Sequence, residues 1–176
     1  MPPPALMPLE HAEGEDSAAK WPNYVDDIYA EFCHTAARAN LTFQGDPVIC
    51  PFMQPVKTGG VVRPHDEKHF SFWHCMSEGP DEDNRTPELP RCERIRWIGW
   101  VIQNADNPAI VRFWENTRQG RRGPKIHVVL WFFSEDYVVI LNKDNGRYYL
   151  RTAYVLKRDR KEDIEDEWQA SLAQPP

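Results

Sequence analysis

Three β-rich runs stand close together toward the C-terminal end, and the short words between them leave little choice of connection. Lys125 to Phe133, Tyr137 to Leu141 and Tyr148 to Leu156 are dominated by Val, Ile, Leu, Tyr, Phe and Trp. Such side chains suit a pleated, half-buried surface. Ser134-Glu135-Asp136 separates the first pair of runs, and Asn142-Lys143-Asp144-Asn145-Gly146 the second. Asn145-Gly146 is a strong hairpin signal, because both residues tolerate positive φ. Links this short can join only antiparallel neighbours, so the segment predicts a β-meander.

The chain ahead of the meander reads differently. Residues 1–20 are rich in Pro, Ala and acidic residues with no apolar period, which predicts a disordered leader. Asn23 could cap a helix carrying Tyr24, Ile28, Phe32 and Thr35, and Asn40 stands where that helix should stop. From Leu41 to Met53, Gly45, Asp46-Pro47 and Pro51 break the apolar pieces into strands and turns, and Gly59-Gly60 marks a further turn before Val61-Val62. His69 to Met76 alternates aromatic and polar residues, which predicts a strand with His69 and His74 on opposite faces. After a polar loop from Gly79 to Pro90, Arg91 to Asn104 predicts one helix. It would bury Cys92, Ile95, Ile98 and Ile102 and set Arg91 beside Arg94 on another face. Ile110 to Trp114 reads as a short strand or helix edge. The expected fold is α+β: an N-terminal helical part packed on a curved antiparallel sheet, as one domain over residues 21–160. An acidic tail follows over 161–176, with room for a short helix from Glu162 to Trp168.

Charge is unevenly divided. Residues 1–84 hold 5 Lys/Arg against 14 Asp/Glu, a balance of −9, whereas residues 85–160 hold 15 against 8, a balance of +7. Residues 161–176 return to −4, with 1 against 5. A basic body between acidic ends can bind a polyanion locally while the whole chain stays acidic. The acidic tail itself is read as a solvating segment. The longest apolar run, Val128 to Phe133, is far too short to span a bilayer, and Met1-Pro2-Pro3-Pro4 lacks the basic start of a secretory signal. A cytoplasmic protein is therefore expected. The four cysteines are widely spaced without a CxxC, which argues against a zinc knuckle and for small buried hydrophobes or bystander thiols. No metal site or cofactor is expected.

The remaining polar residues suit RNA cleavage without a metal. That reaction needs a base for the 2′-hydroxyl, an acid for the leaving oxygen, and cations for the phosphorane. Imidazole titrates near neutrality and guanidinium forks onto phosphate. His69, His74, Arg91, Arg94, Lys125, Arg151, Thr152 and Tyr154 cover the list, with Tyr and Trp available for base stacking. Each has a plainer alternative. Arg91, Arg94 and Arg96 could simply pair with Glu88 and Glu93, and Thr152 and Tyr154, two apart on one strand face, could be structural. Arg118 to Lys125 forms a Gly-broken basic loop without a GKS/T or GxGxxG phosphate signature, which suggests a flexible polyanion contact.

The order Phe72-Trp73-His74, then Arg91-Cys92-Glu93-Arg94-Ile95-Arg96-Trp97, then Tyr149-Leu150-Arg151-Thr152-Ala153-Tyr154 resembles a group of small phage- and prophage-associated bacterial proteins. These are similar to the barnase–EndoU–colicin–RelE group of metal-independent ribonucleases. The resemblance covers roughly residues 40–156. It implies a four-stranded antiparallel sheet whose concave face binds RNA, with His74 as general acid or base and Thr152 and Tyr154 on the active face. Arg91 or Arg94 would then bind phosphate; Lys125 and Arg151, which come from the polar inventory and not from the resemblance, are expected as further substrate contacts. It also implies a toxin or stress effector, restrained by an antitoxin or immunity protein. The competing reading is a non-catalytic nucleic-acid- or protein-binding module of prophage origin.

Overall fold

The computed structural model describes residues 1–5, 17–52, 67–81, 84–120 and 123–173. The expected turn at Gly59-Gly60 and residues 6–16 of the expected leader lie outside them, as do Arg121 and Arg122.

Helix α1, Ser17–Phe32, begins inside the expected leader and contains both Pro22 and Asn23. Asn23 is therefore not its cap. The buried stripe of Val25, Ile28 and Phe32 keeps the three-to-four spacing that drives the helix onto the core. The helix then widens into a π-helical turn, Cys33–Ala37, with Arg38 N–H donating to Cys33 O at 2.9 Å. Asn40, at φ +48°, ends the segment where expected. The described start of the chain is also tied down: Trp97 Nε1 donates to the Pro3 carbonyl at 2.8 Å.

A tight turn at Gln44-Gly45 joins β1, Thr42–Phe43, to β2, Asp46–Ile49. The expected strand at His69–Met76 is instead helix α2, Phe70–Met76. Phe72, Cys75 and Met76 are fully buried, and their three-and-four spacing defines a helical face. Over seven residues the aromatic–polar alternation mimicked a strand. The opposite-face argument for His69 and His74 lapses with it. Strands β3, Ser77–Glu78, and β4, Thr86–Pro87, form a small separate ladder. The single helix expected over 91–104 is two: α3, Leu89–Glu93, and α4, Trp97–Gln103. Cys92, Ile95, Ile98 and Ile102 are all buried even so. Gly99 sits so close to the π-helical turn that a Cβ there would lie 1.9 Å from the Thr35 carbonyl oxygen.

The meander is longer than expected. Strand β5, Val111–Gly120, pairs along its whole length with β6, Gly123–Phe132; β7, Tyr137–Asp144, and β8, Arg147–Val155, follow antiparallel. Asn145 and Gly146 both take positive φ at the last turn. The six-stranded sheet has the order β1-β2-β8-β7-β6-β5 and is curled. It is mixed rather than purely antiparallel, because β2 runs parallel to β8, with Val48 opposite Tyr148. The long path through α2 to α4 permits that parallel return. The fold is α+β, with helices N-terminal to most of the sheet.

One sheet face packs on α1 to α4 through Val128, Leu130, Phe132, Val139, Leu141, Leu150 and Ala153. The other carries Trp114, Val129, Trp131, Val138 and Ile140, and is covered by helix α5, Arg158–Leu172, through Ile164 and Trp168. The acidic tail is thus a docked helix. We call these the inner and outer faces. Among the described residues no helix is long and apolar enough to cross a membrane.

Candidate functional site

Strand β8 organises the polar groups. Opposite the β7 step from Ile140 to Leu141, β8 moves from Thr152 to Leu150, so Arg151 is an inserted residue. Such a β-bulge re-aims side chains that a regular strand would send to opposite faces. Thr152 pairs with Ile140 and Tyr154 with Val138, both on the outer face. Arg151 reaches the same face, since its Nη1 lies 3.2 Å from Nε2 of His127, two residues before Val129 on β6.

His127 is the centre of a basic patch. It is only 8% exposed, while Lys125 and Arg151 are exposed around it. Burial lowers the imidazole pKa to about 4, aided by the positive charges of Arg151, Arg118 and Lys125. The ring is therefore neutral at pH 7. Guanidinium can only donate, so Nε2 accepts and the proton of His127 resides on Nδ1. Asn142, paired in register with His127, has its Oδ1 buried and without a hydrogen-bond partner among the described residues. Lys125 faces Arg118 across the β5–β6 pair, and neither Lys125 nor Arg151 makes an ion pair among the described residues. On the helix side of the patch, Glu167 accepts from Asn116 Nδ2 at 3.0 Å and Arg118 Nη2 at 3.3 Å.

The residues singled out around His74 also meet, and they do so through its backbone. Thr152 Oγ1 donates to the His74 carbonyl at 2.8 Å, and Arg91 Nη1 lies 3.4 Å from the same oxygen. Arg91 donates further to Ser77 O at 2.9 Å, pairs with Glu88 and with Glu78 at 3.7 Å, and lies 5.4 Å over the Tyr154 ring. Arg85, which the sequence reading passed over, adds a bond to Ser77 O at 2.7 Å. Cations gathered on the His74 carbonyl of α2 and on the carbonyl of Ser77, which follows the helix, satisfy groups that the helix end leaves open. The His74 ring, half-buried, rests on Phe70 with centroids 4.3 Å apart. Burial raises the Tyr154 phenol above its ordinary range, so it stays neutral.

Other expected site residues fall elsewhere. Arg94 bonds Pro90 O at 3.1 Å and Glu93 at 3.4 Å, and lies over Trp97, so it does not join Arg91. Arg96 forks onto both oxygens of Glu31 at 2.8 Å, rather than onto Glu88 or Glu93. His69 Nδ1 lies 2.9 Å from the Tyr29 hydroxyl, and burial lowers its pKa, so it is a ring packed against α1 at the start of α2. A separate open cavity of about 640 Å³ beside the π-helical turn is lined by Asp26, Tyr29, Cys33, His34 and Arg38, none of them anticipated site residues. Among the described residues no group of three or more His, Cys, Asp or Glu is placed to hold a metal ion.

Reading the sequence alone missed His127. Its signal was parity: on a strand it shares a face with Lys125, Val129 and Trp131, and it is the one polar residue between Ile126 and Phe133. No family model, curated protein or solved structure matches the chain.

Proposed function

We propose that the protein binds single-stranded RNA on the outer sheet face and cleaves it without a metal, leaving a 2′,3′-cyclic phosphate. The observation that carries this reading is the bulge at Arg151. It sets the Arg151–His127 pair beside Thr152, which holds the C-terminal turn of α2 bearing His74. The His127 ring and the His74 backbone thus meet adjacent residues of one strand, Arg151 and Thr152. In this reading Arg118, Lys125 and Arg151 hold phosphates. As Arg151 turns from His127 to a phosphate, Nε2 is freed to take the 2′-hydroxyl proton. The 2′-oxygen attacks phosphorus, the P–O5′ bond breaks, and the leaving oxygen takes a proton from His74. A pKa of about 4 suits a base poorly at pH 7. Phosphates that neutralise the three cations remove part of the cause and move it upward. Such a nuclease would act in the cytoplasm of the producing cell, restrained by an antitoxin or immunity protein.

The test uses purified protein, single-stranded RNA and EDTA. Cutting with cyclic-phosphate ends is expected, and His127→Ala or His74→Ala should each slow it by about 100-fold or more. A requirement for Mg²⁺, or undiminished cutting by both variants, would overturn the mechanism. A second reading, a non-catalytic nucleic-acid-binding module, is favoured by one observation. Arg91 and Thr152 already direct hydrogen bonds to the backbone of α2 and of Ser77 just after it. It expects binding that weakens steeply with salt, without any product.

A further inference from the structure

We infer that helix α5 is a built-in competitor for the nucleic-acid surface, an acidic segment of the same chain seated on cations that a polyanion would use. This rests on the proposed RNA-binding reading and adds a regulatory element to it. Three observations carry it. The first is position: α5 crosses the face that holds His127, Arg151 and Lys125, anchored by Ile164 and Trp168 on Trp114, Trp131 and their neighbours. The second is the direction of its charges. Glu165 pairs with Arg112 at 3.3 Å, and Glu167 takes both Arg118 and Asn116. Arg118 stands opposite Lys125 in the β5–β6 register, so it belongs both to the helix footprint and to the open basic patch.

The third is the contrast within the helix. Glu162 and Asp166 are equally acidic, yet they are exposed and make no ion pair among the described residues. Two of the helix carboxylates therefore neutralise the sheet and two decorate solvent. Ion pairs of this partly exposed kind are weak individually, so a phosphate can displace a carboxylate without unfolding anything. A row of phosphates entering from Lys125 and Arg151 would meet Glu167 at Arg118 and, further on, Glu165 at Arg112. The chain's own acids set how far along the sheet a nucleic acid can bind.

The experiment compares two double variants with identical loss of charge: Glu165→Gln/Glu167→Gln on the sheet side and Glu162→Gln/Asp166→Asn on the solvent side. The probe is a labelled 2′-O-methyl oligouridylate, which lacks the attacking hydroxyl, read by fluorescence anisotropy at low and high salt. Circular dichroism confirms that each variant is folded. The sheet-side variant should bind about 2- to 10-fold more tightly than the solvent-side variant at low salt, the gap closing at high salt. Equal affinities for the two variants, with the unaltered protein also binding, would overturn the competition and leave the RNA-binding reading standing. Failure of all three proteins to bind at low salt would overturn the RNA-binding reading itself.

Discussion

The two faces of the sheet are built to different rules. The inner face is closed: Val128, Leu130, Val139, Leu141 and Ala153 are under 1% exposed, beneath α1 to α4. The outer face is closed only where α5 lies. Beyond it the same strands carry His127, Asn142, Lys125 and Arg151: Asn142 has a buried oxygen without a hydrogen-bond partner, and Lys125 and Arg151 are exposed without ion pairs among the described residues, while Arg118 at the margin is held by Glu167 of α5. A packed face accounts for every residue on it by burial. An incompletely satisfied face asks for a ligand, and that is where functional chemistry is sought.

The comparison breaks most severely at Gly99. Any Cβ there meets the Thr35 carbonyl at 1.9 Å; that oxygen is backbone and a Cβ is fixed by its own, so neither can rotate away. Gly99→Val should destabilise the protein by about 3 kcal/mol or more, measured by urea unfolding, because α4 must leave the π-helical turn. On the outer face, Ile164→Ala should cost roughly 2–3 kcal/mol by removing the one fully buried side chain of α5. Loss of the Arg112–Glu165 pair should cost under about 1 kcal/mol, since both partners are partly exposed. If the charge variant proved the more damaging, α5 would be held by charge and not by burial.

How much of this was legible depends on how local the cause is. The meander was legible because its turns are spelled in adjacent residues, and Asn145-Gly146 adopts the positive φ that its chemistry allows. Burial of Cys92, Ile95, Ile98 and Ile102 was legible although the helix breaks at Arg94–Arg96, because spacing along one face does not need unbroken hydrogen bonding. Helix α2 was not, since seven residues suit period 2 and period 3.6 alike. Neither was the parallel β2–β8 pairing, which depends on chain about 100 residues away. In the candidate site, the shared face of Thr152 and Tyr154 followed from parity and is observed. The bulge at Arg151 has no glycine to announce it, and only the bulge brings Arg151 to His127.

The buried imidazole gives the outer face a pH dependence. The folded pKa of His127, about 4, lies below the ordinary value of 6.5, so the unfolded chain binds its proton more readily. Stability from this group is complete above about pH 6.5 and is lost as the pH falls toward 4. The loss should be on the order of 2 kcal/mol, read by chemical unfolding across that window, and His127→Gln should flatten it. RNA binding should move the imidazole titration upward in an NMR experiment, because phosphates offset Arg151, Arg118 and Lys125. An unmoved titration would separate His127 from the binding face.

The smallest expected effect is the sharpest on the contrast between faces, because it compares two neighbours on one strand. Leu141 is fully buried on the inner face, while Asn142, next in sequence, places an unpaired Oδ1 on the outer one. Leu141→Asn must bury a new amide with no partner and should cost roughly 3 kcal/mol or more. Asn142→Leu removes a buried acceptor that already lacks a partner, so it should change stability by less than about 1 kcal/mol, toward stabilisation. If Asn142 is instead satisfied by a bound nucleotide, the leucine variant should bind the oligonucleotide more weakly while unfolding no more easily. Stability and binding would then respond in opposite directions at a single position, which an inner-face residue such as Leu141 has no means of producing.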